Sequence, residues 1–137
     1  MEKSTETKTT KTTKAYEAMI EECSIEELTK RDRIALKDTT DATSLDELIP
    51  DDTTEYIIKN PTAYAVLSVH NEAADDKDYK KYIIMAGSEK FVTGSESFYR
   101  SFRDIFDEMD GETFDLKCYK KPSNNFKGKF FLTCSIV

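Results

Sequence analysis

The sequence has no tryptophan, four glycines and one histidine in 137 residues. The scarcity of glycine leaves no phosphate-binding loop of the GxxxxGK[ST] or GxGxxG type, and the GSES stretch lacks the second glycine of a GxSxG nucleophile elbow. His70 is the single histidine, and because it stands alone we interpret it as a bystander. The nearby Asp75, Asp76 and Asp78 lie in a loop that lacks the length, central glycine and terminal Glu of an EF-hand, which favours a solvated acidic loop. The sequence therefore predicts no enzyme, no cofactor and no metal site.

Cysteine and long apolar runs are also scarce. Cys23, Cys118 and Cys134 have no CxxC spacing, and an odd number leaves one thiol outside any disulfide framework. Cys118 and Cys134 alternate with apolar residues, which favours small buried hydrophobes, and free thiols suit a reducing cytoplasm. No run approaches the roughly 20 apolar residues of a membrane helix, and no signal-peptide centre is present, so we expect a cytoplasmic protein without membrane contact.

Acidic charge is concentrated in the first part of a chain whose net charge is −7. Residues 1–14 form a Thr/Lys tract that predicts a disordered tail. Residues 15–54 predict a helical, acidic extension, with one helix over 15–36 that has Ser24 and Glu27 in capping-box spacing. Segment 37–55, which reaches the first residue of the next domain, holds seven acidic residues and one lysine. Residues 55–137 contain most of the aromatic residues and are the predicted binding domain.

The binding domain shows strand and helix patterns in a fixed order. Alternating apolar and aromatic runs predict strands at 55–59, 62–70, 80–86, 89–93, 114–120 and 129–137. Between the fourth and fifth of these, phenylalanines at helical spacing predict one amphipathic helix, capped near Ser95 and ended by Asp110 and Gly111. With 55–59 as a short edge strand outside the count, the order predicts a mainly β fold, an OB-like Greek-key β-barrel of five strands with one helix between strands 3 and 4. An α+β sheet with one packed helix fits the same order and stays open as the alternative.

The stretch KKPSNNFKGKFF, residues 120–131, is cationic and aromatic despite the acidic chain. Residues 117–129 contain five lysines and no acidic residue. Turn residues in this stretch predict a hairpin loop between the last two strands. Alternation along those strands predicts an apolar inner face that includes Phe130, and an outer face that carries Tyr119 and Phe131.

A protein that binds single-stranded nucleic acid needs cations that follow the phosphate backbone and exposed rings on which bases stack. Each stacked base contributes about 1–3 kcal/mol to binding. The candidate phosphate-binding residues are Lys80, Lys81, Lys90, Lys117, Lys120, Lys121, Lys127 and Lys129. The candidate stacking rings are Tyr82, Phe91, Tyr119, Phe126 and Phe131. In an OB barrel, the middle strands and the last hairpin would converge on one groove. Tyr82 and Phe91 are equally compatible with a core position, whereas Phe126 lies in a polar loop.

Three blocks of the sequence carry a resemblance to a known group of proteins: TAYAVLSVHN, KKYIIMAGSEKFVTGSESFYRSFRDIFDEM and KKPSNNFKGKFFLTCSI. Together, over residues 55–137, they resemble small OB-fold single-stranded DNA-binding proteins of phages and mobile elements of Gram-positive bacteria. The resemblance implies a non-catalytic protein that coats single strands in DNA replication or recombination. Many such proteins recruit partners through an acidic tail, and segment 37–55 is the candidate equivalent for a host or replication protein.

A second hypothesis belongs to a different functional class. An acidic inhibitor or adaptor of phage type would bind a host protein and block its nucleic-acid site. Segment 37–55 and residues 17–27 would carry that function, and the lysine-rich hairpin would be incidental. Small barrels with open edges often self-associate, so a homo-oligomer is left open as well.

Overall fold

The computed structural model describes residues 15–137, and the predicted disordered tail lies outside these described residues. The strands are β1 Tyr16–Cys23, β2 Thr43–Ser44, β3 Glu55–Lys59, β4 Ala63–Asn71, β5 Asp78–Ala86, β6 Glu89–Thr93, β7 Asp115–Pro122 and β8 Phe130–Ile136. The helices are α1 Lys30–Lys37, α2 Leu45–Leu48 and α3 Glu96–Met109. The protein is therefore mainly β, as predicted. None of the helices in residues 15–137 is long and apolar enough to cross a membrane.

The strands form two sheets. One has five strands in the order β1-β4-β5-β6-β2, and the other has three in the order β3-β7-β8. Neighbouring strands are antiparallel except for the parallel pair β2 and β6. Asn60, with a φ of 44°, and Pro61 separate β3 from β4, so the chain passes from the smaller sheet to the larger one at this turn. The Asn60 N–H donates to Asp115 Oδ1 at 3.1 Å, which fixes the turn against β7.

The apolar core consists of two clusters on opposite faces of the five-stranded sheet. Tyr64 and Ile84 belong to the first cluster, together with α3 and the inner face of the three-stranded sheet. Ala65 and Ile83, their neighbours in sequence, belong to the second cluster, which Leu36 of α1 covers. Because successive strand residues point to opposite faces, α1 lies on one side of the larger sheet and the smaller sheet lies on the other.

The two sheets do not close into a barrel, which corrects the predicted closure. In a closed barrel β6 and β8 would pair, but the outer edge of β6 is occupied by β2. The edge of β8 is contacted by α3: Ser97 Oγ donates to the Leu132 carbonyl at 3.0 Å, and the Ser101 and Thr133 hydroxyls are 3.4 Å apart. Serine hydroxyls of α3 thus occupy part of the β8 edge. An α+β sheet with a packed helix is compatible with this arrangement.

The helix between β6 and β7 forms as predicted. The Ser95 hydroxyl accepts from the Phe98 N–H at 3.2 Å and caps the first turn of α3. Phe98 and Phe102 are fully buried, and Asp110 ends the helix in the left-handed conformation, with a φ of 47°. The amphipathic pattern of α3 therefore places its phenylalanines in the core.

The predicted helix over residues 15–36 is wrong for its first part. Residues 16–23 are strand β1, which pairs antiparallel with β4. Ala18 and Ile20 pack on the second cluster, while Glu17 and Met19 are exposed. The Ser24 hydroxyl accepts from the Tyr64 N–H at 2.9 Å, so it fastens the end of β1 to β4.

The N-terminal helix begins later than predicted, and its cap differs from the expected one. Thr29 and Asp32 form a reciprocal capping box at the start of α1, with both hydrogen bonds at 3.0 Å. The predicted pair Ser24 and Glu27 precedes this helix and does not cap it. Ser44 caps α2, since its hydroxyl accepts from the Glu47 N–H at 3.4 Å.

An arginine on α3 connects the helix to β1 and β4. Arg103 Nη1 donates to Glu22 Oε2 and to the Tyr99 hydroxyl, both at 2.9 Å. Its guanidinium lies 4.3 Å from the centroid of the Tyr64 ring, and Tyr82 stacks on Tyr99 at 4.6 Å. Burial raises the pKa of Tyr99 to about 12, so its hydroxyl stays a neutral donor to Glu22 at 3.0 Å. The cluster holds β1 against the helix.

Candidate nucleic-acid interface

The outer face of β7 carries a tyrosine between two lysines. Lys117, Tyr119 and Lys121 alternate with the buried Leu116 and Cys118, as the sequence pattern predicts. Lys117 Nζ lies 5.2 Å from the Tyr119 ring centroid, and Lys121 Nζ lies 5.9 Å from it. This arrangement sets two cations beside one half-buried ring along the strand.

The loop between β7 and β8 is built from local hydrogen bonds. The Ser123 hydroxyl accepts from the N–H groups of Asn125 and Phe126, both at 3.3 Å. The Ser123 N–H donates to the Lys129 carbonyl at 2.9 Å, and Gly128 supplies the positive φ of 78° that the turn requires. These bonds fix the backbone at Phe126, whose side chain is 66% exposed.

Two more phenylalanines are exposed where β8 begins. Phe131 is opposite Lys121, and Phe130 is opposite Pro122. Phe130 lies on the same face of β8 as Leu132 and Cys134, as the alternation predicts, but it is 44% exposed because its pair with Pro122 lies past the buried Leu132 at the edge of the core. Its exposure is what the alternation pattern missed, although its place next to the loop was visible in the sequence.

Four of the five hairpin lysines have no ion-pair partner in the part of the chain that the structure describes. Within residues 15–137, no carboxylate forms an ion pair with Lys120, Lys121, Lys127 or Lys129, and Lys117 is 3.9 Å from a Glu55 oxygen. We call the exposed and half-buried cations and rings of this hairpin the hairpin surface. Its members are Lys117, Tyr119, Lys120, Lys121, Phe126, Lys127, Lys129, Phe130 and Phe131.

The two rings predicted on the middle strands are core residues. Tyr82 is 6% exposed and stacks on Tyr99, and Phe91 is 2% exposed and packs against Tyr56 with the ring centroids 5.6 Å apart. Neither ring is accessible for stacking on a base, which corrects their assignment as binding residues. Both lie on the face of the five-stranded sheet that α3 and the smaller sheet cover, where large aromatic side chains fill the core.

The lysines predicted on the same strands have partners within the fold. Lys80 Nζ forms an ion pair with Glu21 at 2.9 Å, and Lys81 Nζ donates to the Tyr16 and Thr39 hydroxyls, both at 3.2 Å. All three partners come from residues 15–54, the segment predicted to be a separate extension. The predicted convergence of the middle strands with the hairpin surface on one groove is therefore wrong.

Lys90 stabilises the end of α1. Its Nζ donates to the Ala35 carbonyl at 2.7 Å and to the Asp38 carbonyl at 3.0 Å, where the helix leaves carbonyl groups unpaired. A cation at this end also interacts favourably with the helix dipole. The structure thus gives Lys90 a role in the fold, in place of the predicted phosphate contact.

Replacing Lys90 by methionine should lower the free energy of unfolding by about 1–2 kcal/mol, because two carbonyls lose a charged donor. Urea unfolding followed by circular dichroism measures the change. Lys127→Met is the matched control, since Lys127 is exposed and has no carboxylate partner within residues 15–137. Equal unfolding midpoints for the two variants would show that the contacts of Lys90 do not stabilise the protein.

His70 and two of the cysteines have contacts or burial that shift their pKa values. His70 Nδ1 is 2.8 Å from Asp78, and hydrogen bonds to Asp78 and Glu72 raise the pKa of this exposed histidine. Burial raises the pKa of Cys118 well above its usual range and that of Cys134 to about 12, so both thiols stay protonated near neutral pH. Among residues 15–137, no group of three or more His, Cys, Asp or Glu side chains is placed to hold a metal ion.

Comparisons of the chain with protein-family models, with curated proteins and with solved structures find no match. The residues of the hairpin surface alone therefore indicate what it can bind. The hairpin surface offers fixed positive charge and flat apolar rings on one short hairpin. Such a surface is suited to a ligand that combines negative charge with exposed aromatic faces.

Proposed function

We propose that the protein is a non-catalytic single-stranded DNA-binding protein that uses the hairpin surface. One observation carries the proposal. Four lysines that have no carboxylate partner within residues 15–137 lie on the same hairpin as the exposed rings of Phe126, Phe130 and Phe131. This cationic surface occurs in a chain whose net charge is −7. A solubilising surface needs the charges but gains nothing from three exposed phenylalanines.

Single strands fit this surface better than a duplex. The rings stack only on bases whose faces are accessible, and a duplex buries those faces between neighbouring base pairs. The lysines on either side of the rings bind phosphates and release condensed counterions, so affinity falls as the salt concentration rises. The protein should therefore bind an unpaired strand with little sequence preference and bind the matching duplex more weakly.

The proposed biological setting rests on the resemblance and on the free cysteines. The resemblance of residues 55–137 to phage and mobile-element proteins supports a role in DNA replication or recombination. Three free cysteines, two of them buried, support a cytoplasmic location, because cytoplasmic thiols are kept reduced. The acidic segment 37–55 is the proposed contact for a replication or host protein.

The alternative, an acidic inhibitor of a nucleic-acid-binding partner, has less support from the contacts. Asp46 accepts from the Thr93 hydroxyl at 2.9 Å, and Asp51 accepts from Thr53 and Thr54. Several acidic side chains of segment 37–55 are thus engaged within the fold. A mimic of DNA would instead present its carboxylates unpaired in a regular row.

Phe126→Ala should weaken binding of a labelled dT oligonucleotide by roughly tenfold, the lower part of the 1–3 kcal/mol that one stacked base contributes. Fluorescence anisotropy measures the affinity. Met19→Ala is the matched control, because Met19 is 61% exposed, apolar and on β1, outside the hairpin surface. An equal affinity for Phe126→Ala and wild type would remove this ring from the proposed site.

A further inference from the structure

Helix α1 carries a row of exposed cations that the sequence analysis did not single out. Lys30, Arg33, Ile34 and Lys37 occupy positions i, i+3, i+4 and i+7, which lie on one side of an α-helix. All four are exposed, as is Arg31, and Ile34 in the middle of the row is 70% exposed. The row spans about 10 Å at 1.5 Å per residue.

The charges on this row are not neutralised within the described part of the fold. In residues 15–137, none of Lys30, Arg31, Arg33 and Lys37 has a carboxylate within ion-pair distance. The one acidic residue of the helix, Asp32, is engaged in the capping box. Like charges at these spacings destabilise a helix, so the row is unfavourable for α1 by itself.

The fold nevertheless holds α1 firmly in this orientation. Leu36 is buried in the second apolar cluster on the side away from the row. Lys90 donates to the Ala35 and Asp38 carbonyls at the end of the helix, and Thr29 caps its start. The cations are therefore presented on a fixed helix, as a binding surface requires.

The row and the hairpin surface lie on opposite sides of the molecule. Leu36 covers the face of the five-stranded sheet that carries Ala65 and Ile83, whereas Leu116 and Cys118 of β7 pack in the first cluster on the other face. The outer face of β7 points away from that cluster. A single strand of a few nucleotides bound to one surface leaves the other surface accessible.

We propose that α1 is a second phosphate-binding surface, so that one protein molecule holds two segments of single-stranded DNA at once and brings complementary strands together for annealing. The inference rests on the proposed function of the hairpin surface. A row of about 10 Å spans about three nucleotides at the 3.4 Å spacing of a stacked strand. Because α1 has no aromatic residue, it contributes charge and the aliphatic surface of Ile34, and it binds more weakly than the hairpin surface.

A bridging assay with two dT oligonucleotides, one with a donor dye and one with an acceptor, tests the inference because these strands cannot pair with each other. Wild-type full-length protein should give energy transfer between the dyes. The variant Lys30→Gln/Arg33→Gln/Lys37→Gln should bind one oligonucleotide within about threefold of wild type. Its second binding step should weaken by about 100-fold at 0.1 M salt, since three phosphate contacts are lost at about 0.7 log units each.

The matched control removes three cations elsewhere, in Lys59→Gln/Lys77→Gln/Arg100→Gln, whose side chains are exposed and paired with carboxylates. This control should bridge like wild type, and annealing of complementary strands should slow only in the α1 variant. Bridging that survives in the α1 variant, as it would if a dimer used two hairpin surfaces, overturns the inference and leaves the proposed function intact. A wild-type protein that binds no dT strand overturns the proposed function itself.

Discussion

Replacing Lys121, Lys127 and Lys129 together by glutamine should weaken binding of a short dT oligonucleotide by about 100-fold at 0.1 M salt. Each phosphate contact on a single strand contributes a salt dependence of about −0.7 in log affinity per log unit of salt, so three lost contacts cost about two log units at this concentration. The effect is expected to be large because none of the three lysines has a carboxylate partner in residues 15–137, so each charge is available to a phosphate.

Anisotropy titrations at several salt concentrations measure this change in two ways. The affinity should fall, and the slope of log affinity against log salt should become shallower by about 2. The control variant Lys59→Gln/Lys77→Gln/Arg100→Gln changes the net charge equally and should keep the wild-type slope within about 0.5. If both triple variants lose the same affinity, binding reflects overall charge and the hairpin surface has no special role.

Replacing Phe102 by alanine should lower the free energy of unfolding by about 3–5 kcal/mol. The Phe102 ring is fully buried between α3 and the five-stranded sheet, 6.1 Å from the Tyr64 ring and 5.4 Å from the Phe106 ring. Its removal leaves a cavity between α3 and β4, beside the Tyr64 and Phe106 rings. A loss of this size is a large part of the 5–15 kcal/mol that stabilises an ordinary domain.

Urea unfolding compares Phe102→Ala with Phe126→Ala, which makes the same chemical change at a site that is 66% exposed. The Phe126 variant should change stability by less than about 0.5 kcal/mol, as surface substitutions usually do. Unfolding midpoints that shift equally would contradict both the buried position of α3 and the exposed position of Phe126. The pair therefore separates residues that hold the fold from residues proposed to bind DNA.

Features that depend on neighbours in sequence could be predicted before the structure was known. The hairpin around Phe126, the strand at 89–93 and the amphipathic helix capped by Ser95 all follow from alternation, helical spacing or a capping hydroxyl. These signals act over a few residues, so they survive in almost any tertiary context. The outer face of β7, with Tyr119 between two lysines, was predictable for the same reason.

Strand β1 was not predictable from local propensity. Its alanine, methionine and glutamates favour a helix, but pairing with β4 overrides that preference. The partner residues lie far away in sequence: Glu17 is opposite His70, and Cys23 is opposite Ala65. Glu17 to Glu21 alternate between exposed and half-buried side chains in the strand, but the exposed Met19 is apolar, so this alternation is only partly visible in the sequence. A five-residue alternation among good helix formers was too short to outweigh them.

The same distant contacts explain the errors on the middle strands. Lys80, Lys81 and Lys90 look like free cations when residues 15–54 are treated as an appendage, yet their partners all lie in that segment. Barrel closure fails for a related reason, because serines of α3 occupy the β8 edge that β6 would need. Residues close in sequence do not determine which partner a lysine side chain reaches, or which element packs against the edge of a strand.

The measurement that tests the central claim most directly is a titration of a labelled dT strand of about eight nucleotides, within the usual site size, with the full-length protein at low salt. Binding through the four uncompensated lysines of the hairpin surface predicts saturation, with a slope of log affinity against log salt of about −3. A duplex of the same length should bind more weakly. An anisotropy that does not change at low salt, or an affinity that does not depend on salt, would contradict the account.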